Sequence, residues 1–196
     1  LMNGTTIAFS GFPGGVPLEW QIAGVGDVDG DSKADVIWRH SISGTVAVWL
    51  MNGLSITSVG FPASTSTDWK IEGVGDFNGD GKADLVWRNS SDGTTAIWLM
   101  NGMTLVASGF PGGVPLEWQI AGVGDVDGDS KADVIWRHSI SGTVAVWLMN
   151  GLSITSVGFP ASASTDWKIG GVGDFNGDGK ADLIWNNDTS DIMAIW

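Results

Sequence analysis

The chain contains no cysteine, no tyrosine and only two histidines. Without cysteine there is no disulfide framework, no thiolate nucleophile and no cysteine metal site. The histidines, His40 and His138, occupy equivalent positions, and neither has a Ser, Cys or second His placed as in a catalytic set. Basic residues are also scarce. Nine Lys and Arg face 22 Asp and Glu, a net charge of −13, which sets the surface against nucleic acid and anionic lipid. Apolar residues are ample at 43%, but their runs are short and broken by Gly and polar residues, so no helix spans a membrane. No signal peptide is visible, and the chain opens at Leu1, so upstream sequence is expected to have been removed.

What the chain has instead is a period. Trp20, Trp69, Trp118 and Trp167 mark one position in successive units, as do Asp27, Asp76, Asp125 and Asp174. Four 49-residue units fill the 196 residues, approximately 1–49, 50–98, 99–147 and 148–196. A period of this size signals an array or ring of small modules. The units alternate between two kinds, and residues 10–64 are identical to 108–162. A two-unit segment has been duplicated, recently or by design.

One unit reads as four short strands. Trp69 to Val74 is the first, and an acidic loop from Asp76 to Asp84 follows. Leu85 to Arg88 is the second, Asn89 to Gly93 a turn, and Thr94 to Met100 the third. Asn101-Gly102 predicts a two-residue type I′ hairpin, with a fourth strand over about Met103 to Ser108. Val36, Ile37 and Trp38 are apolar in succession, as expected of a sheet buried on both faces. Four such sheets in series predict an all-β fold, a β-propeller of four four-stranded blades. Trp38 and Trp49, with their repeats, are read as packing between blades.

The phase of the repeat adds a prediction. Trp196 aligns with Trp49, Trp98 and Trp147, each followed by Leu-Met-Asn-Gly, and the chain begins Leu1-Met2-Asn3-Gly4. The N-terminal segment is thus a fourth strand without its first three, and the C-terminal segment is three strands without a fourth. Pairing these ends closes a ring, either alone as four blades or between two chains as an eight-bladed homodimer.

Fourteen of the 22 acids lie in four nine-residue loops, with oxygen side chains at positions 1, 3, 5 and 9. These are Asp27, Asp29, Asp31 and Asp35; Asp76, Asn78, Asp80 and Asp84; Asp125, Asp127, Asp129 and Asp133; and Asp174, Asn176, Asp178 and Asp182. So many carboxylates in so short a loop are costly without a cation, and Ca²⁺ accepts about 6–8 hard oxygen ligands in flexible geometry. The backbone carbonyls at position 7, on Lys33, Lys82, Lys131 and Lys180, are further candidate ligands. Position 12 is Trp38, Trp87, Trp136 or Trp185, where an EF-hand needs a bidentate Glu. Ser32 and Ser130 replace a turn Gly at position 6, which predicts more strain in the odd loops. The expected metal role is structural, with one Ca²⁺ per repeat.

The stretch Gly75-Asp76-Phe77-Asn78-Gly79-Asp80-Gly81-Lys82-Ala83-Asp84-Leu85-Val86, and equally Gly173 to Ile184, resembles the FG-GAP/VCBS repeat of integrin-α-type β-propellers. The resemblance covers all four units. It implies four-stranded blades with Ca²⁺ between the first two strands, in secreted or cell-surface proteins of adhesion or carbohydrate binding, with repeats that are not catalytic. Family propellers most often have seven blades, and their shallow packing angles favour the homodimer here. The expected source is bacterial.

Topology places the metal loop and the Asn-Gly turn on one rim. The opposite rim gathers the second turn and the link between blades. We read Trp20, Arg39, His40, Trp69, Arg88, Trp118, Arg137, His138 and Trp167 as candidate ligand contacts there, for an extracellular protein or glycan. Two alternatives accompany this reading: an engineered or recently amplified scaffold with no ligand of its own, and a lectin with Trp-lined sites between blades.

Overall fold

A computed structural model describes residues 1–196. All regular structure is β. The first blade comprises strands β3 (Trp20–Gly26), β4 (Asp35–His40), β5 (Val46–Asn52) and β6 (Ser55–Gly60), paired antiparallel in that order. The second repeats this with β7 (Trp69–Gly75), β8 (Asp84–Asn89), β9 (Thr94–Asn101) and β10 (Thr104–Gly113). The third contains β11 (Trp118–Gly124), β12 (Asp133–His138), β13 (Val144–Asn150) and β14 (Ser153–Gly158). The fourth has three strands, β15 (Trp167–Gly173), β16 (Asp182–Asn187) and β17 (Met193–Ile195). A short hairpin of β1 (Met2–Asn3) and β2 (Thr6–Ile7) precedes the first blade, β1 matching the end of a third strand and β2 the start of the fourth strand that the repeat phase predicts.

The blades stand side by side in the arrangement of a β-propeller. The first strand of each, β3, β7, β11 and β15, packs on the first strand of the next. Within this one chain β1 pairs only with β2, and β17 only with β16, so the ends do not pair with each other.

The core lies between blades rather than within them. Val28, Ile37, Val46 and Val48 of the first blade pack with Leu85, Trp87, Ala96 and Met100 of the second. Phe77, Val86 and Ile97 of the second face Ala132, Val134, Trp136 and Trp147 of the third. Neighbours along β8 therefore point to different interfaces, because side chains alternate across a strand. Leu85 and Trp87 face one blade and Val86 the other. This is why the second strands are apolar without alternation. The two inner tryptophans of each blade pack together, with ring centroids 4.5 to 4.9 Å apart.

The hairpin between third and fourth strands differs from the sequence expectation. Asn101 pairs with Thr104 and remains in the strand, so the loop residues are Gly102 and Met103. Only Gly102 has positive φ, +59°, which is the type II′ pattern rather than type I′. The turn is local to the hairpin, since Gly4 and Gly53 adopt the same positive φ with no preceding blade beside them, and in the second blade the Gly102 N–H donates to the Val28 carbonyl at 2.6 Å. Gly151 repeats the contact, donating to the Phe77 carbonyl.

Candidate metal centre and the opposite rim

Each acidic loop is folded around its first aspartate. The Asp27 carboxylate accepts hydrogen bonds from the backbone N–H groups of Gly30, Asp31 and Ser32, at 2.7, 3.1 and 2.6 Å. Asp76 and Asp125 gather the same three amides in their own loops. Bending the chain this tightly needs positive φ at positions 4 and 6. Gly30 and Gly79 supply the first without steric cost. At position 6, Gly81 sits at φ +81°, but Ser32 and Ser130 are held at +66°, the strain anticipated in the odd loops.

The ninth residue closes the loop. Asp35, Asp84 and Asp133 are buried to 1% exposure or less. Asp84 accepts from the Phe77 N–H at 3.0 Å and the Met100 N–H at 2.8 Å, so one carboxylate ties the loop to the end of the third strand. Asp35 does the same with Val28 and Met51, and Asp133 with Val126 and Met149. Burial raises the Asp84 pKa to about 7 and that of Asp133 to about 6, opposed by those amides and reinforced by neighbouring loop carboxylates. Burial also raises Asp35. A carboxylate this desolvated and surrounded by like charge is a poor free anion and a good cation ligand.

The donor set fits a hard cation. Carboxylate oxygens of Asp27, Asp29 and Asp35 lie within 4.8 Å of one another, as do those of Asp125, Asp127 and Asp133. These clusters can hold a metal ion. In the second and fourth loops, Asn78 and Asn176 supply an amide oxygen instead of a third clustered carboxylate. The position-7 carbonyls of Lys33, Lys82, Lys131 and Lys180 accept no hydrogen bond from the chain, which leaves them open to a ligand. Position 5 is more peripheral. Asp31 and Asp129 form ion pairs with Lys33 and Lys131 at 2.6 and 2.9 Å, and these contacts hold both carboxyls below the usual range.

The loops also connect the blades. Ala83 N–H donates to the Asp27 carbonyl, Ala132 to Asp76, and Ala181 to Asp125, each at 2.6 Å. Successive loops thus form a continuous backbone-bonded row along one rim, and the Gly102 and Gly151 turns join it. The rim assignment made from topology holds.

The opposite rim separates the remaining candidates by role. Arg39 donates to the carbonyls of Thr65, Ser66 and Trp69, and its guanidinium stands over the Trp87 ring at 5.1 Å. Arg88 donates to Gly93, Val114 and Pro115 and covers Trp136. Arg137 donates to Ala163, Ser164 and Trp167 and covers Trp185. These arginines clamp each blade to the link and indole of the next. Sequence reading placed them only as ligand contacts. Their recurrence just before each turn, five residues ahead of Gly44, Gly93 and Gly142, was the available signal. A Cβ at any of those glycines would collide with a link carbonyl, so clamp and glycine belong to one device.

Trp20 and Trp118 stack edge-on against His40 and His138, with centroids 4.9 Å apart. Ser43 Oγ lies 3.0 Å from His40 Nδ1, a contact the sequence reading did not foresee. The same Nδ1 accepts the Ser43 backbone N–H, and the hydroxyl is shared with Thr45, so the contact closes a turn. Trp20 and Trp69 line two small aromatic cavities of about 190 Å³, with Trp38 and Trp49 and with Trp87 and Trp98 respectively. Arg88 and Trp118 border a cleft of about 380 Å³ together with Glu72, Ser90, Leu116 and Gln119. Arg137, His138 and Trp167 meet at a smaller hollow of about 90 Å³ with Gln119 and Lys168. Glu72, whose pKa burial raises, was missed because an isolated acid in a first strand carries no motif.

Fold and loops together define a β-propeller assembled from acidic-loop blades. The model of the FG-GAP-like repeat matches residues 27–87, 76–136 and 125–185, each match running from one acidic loop to the second strand of the next blade. The chain belongs to the FG-GAP-like repeat family. Comparison with curated proteins returns no match. No helix is long and apolar enough to cross a membrane.

Proposed function

We propose that this chain is a non-catalytic, calcium-stabilised propeller module of a secreted or cell-surface protein, binding a protein or glycan partner on the rim opposite its acidic loops. The observation that carries the reading is the convergence of three carboxylates in one loop, with Asp35 or Asp133 buried at its base. Oxygen-only donors and a flexible loop suit Ca²⁺ better than Mg²⁺, which keeps its waters and demands octahedral geometry. The ion would neutralise Asp27, Asp29 and Asp35 while their backbone bonds hold the loop. Because the loops are bonded blade to blade, each ion would also steady the joint between blades.

The binding surface we favour is the Glu72–Arg88–Trp118–Gln119 cleft, which offers an indole beside charged and amide groups. That combination supports a second reading, a lectin, since an indole can stack on a sugar while amide and carboxylate groups bond its hydroxyls. A glycan array with soluble sugar competitors separates the lectin from the protein-binding module.

The metal claim has a direct test. Thermal melting of the chelator-treated chain with added Ca²⁺ is expected to show a rising Tm, since ligand at 100 times its Kd stabilises by about 2.7 kcal/mol per site. An unchanged Tm on titration, and no loss with chelator, would sink the claim.

A further inference from the structure

The three internal joints define what a blade face in this protein receives. A Cβ added to Gly26, Gly75 or Gly124 would lie 2.7 to 2.9 Å from the Cβ of Ala83, Ala132 or Ala181 on the next blade. At Gly24, Gly73 and Gly122 it would overlap the methyls of Val74, Val123 and Val172. In the fourth blade these positions are open. A Cβ at Gly173 meets nothing within 4 Å, and one at Gly171 meets only Ile184 of its own blade at 3.4 Å. The matching knobs are open at the other end of the row, where Val25 of the first blade is 57% exposed and Ala34 is also exposed.

The outer edge repeats the pattern. Met103 and Leu152, which follow the hairpin glycines, seat against Gly60 and Gly109 of the preceding blade. The equivalent Gly158 has no such neighbour and borders an apolar groove of about 480 Å³, lined by Val146, Leu148, Phe159, Leu183 and Trp196. The β1–β2 hairpin has the register of an internal hairpin, Met2 opposite Ile7 as Met51 is opposite Ile56, and both Met2 and Ile7 are 69% exposed.

We propose that the 196-residue chain associates head to tail with a second copy, whose Leu1–Gly11 segment completes the fourth blade and whose β3 face covers Gly171 and Gly173. The proposal goes beyond rim binding and calcium binding and does not rest on either. The internal register, Val48 opposite Gly60 and Trp49 opposite Val59, sets Ile195 opposite the second copy's Gly11 and Trp196 opposite its Ser10. The second copy's Leu1 then continues the strand that Trp196 leaves. The two surfaces differ, so the contact is heterologous, and two copies that satisfy both ends of each other close an eight-bladed ring.

One departure tunes this joint. Asn186 stands where the other blades have Arg39, Arg88 and Arg137, and Asp191, at φ +50°, stands where they have Gly44, Gly93 and Gly142. The fourth blade thus lacks both parts of the rim clamp, and the second copy brings Thr5 to Gly158 where Leu54, Met103 and Leu152 stand at the other outer edges, while the sheet face keeps the internal design. The joint between copies is therefore weaker than those within the chain, and it depends on concentration.

Sedimentation equilibrium of the whole chain tests the proposal. The expected mass at micromolar concentration is about twice the 20.5 kDa chain, falling on dilution. Gly173→Val, which has space in the isolated chain, and Val25→Lys, at an exposed position, are each expected to leave the far-UV circular dichroism unchanged and to yield 20.5 kDa particles. The double variant Asn186→Arg/Asp191→Gly is expected to tighten association about tenfold, the scale of a restored cation–π contact and charged hydrogen bonds. A mass of 20.5 kDa for the unaltered chain at every concentration overturns the proposal, as does a dimer that persists in Val25→Lys. If Gly173→Val does not fold, Val25→Lys decides alone.

Discussion

The second and fourth blades have nearly the same sequence and quite different interiors. Trp87 and Trp185 are both 1% exposed, because each faces a preceding blade. Phe77 is fully buried, while its counterpart Phe175 is 49% exposed, because only the second blade has a following neighbour within the chain. Asp84 bonds two backbone amides, at Phe77 and Met100, whereas Asp182 bonds only that of Phe175. The difference is not in the residues but in what stands beside them. A blade here is half of two interfaces rather than a small core of its own, which is the quasi-one-dimensional behaviour of repeat proteins.

The largest expected contrast comes from paired truncations of one residue type. Phe77→Ala should cost about 3–5 kcal/mol, the range for emptying a filled aromatic site. Phe175→Ala should cost under about 1 kcal/mol in the isolated chain, as expected for a surface substitution. Denaturant melts of both variants measure the contrast, and equal losses would break the comparison. A smaller contrast is expected at the loop base. Asp84→Ala orphans two buried amides, at about 1–3 kcal/mol each, whereas Asp182→Ala frees one exposed amide that water can satisfy, at under about 1 kcal/mol. This contrast is read from the same melts, in chelator so that lost metal binding does not contribute. The smallest effect sharpens a different pairing, odd loops against even ones. Ser32→Gly should raise stability by up to about 1 kcal/mol by removing a left-handed Ser, while Gly81→Ser should lower it by a similar amount.

Much of this was legible because the sequence repeats itself. Two copies of Asp27-x-Asp29-x-Asp31 and two of Asp76-x-Asn78-x-Asp80 made the loop stand out from ordinary Asp-Gly turns, and runs such as Val36-Ile37-Trp38 marked sheets buried on both faces. What escaped was whatever one blade does to another. The Gly102 turn is bonded to Val28 of the preceding blade, a contact no single unit displays, while reading the turn one residue early was a local error, since Gly4 and Gly53 turn the same way. Asp35 reads in sequence as one more metal ligand, and only the fold shows both its oxygens already bonded to Val28 and Met51. The arginine clamp could have been found by noticing that Asn186 and Asp191 change together in the last unit. The ligand rim was the least legible, because its clefts combine residues of adjacent blades, such as Glu72 and Trp118, that no period relates.

The central claim is that each acidic loop is a cation site built into the joint between blades. Isothermal calorimetry of the chelator-stripped chain with Ca²⁺ tests it most directly. The account predicts saturable binding approaching one ion per loop, four per chain, with the tri-carboxylate loops of the first and third blades filling ahead of the Asn78 and Asn176 loops. An absence of binding at millimolar Ca²⁺ would contradict it.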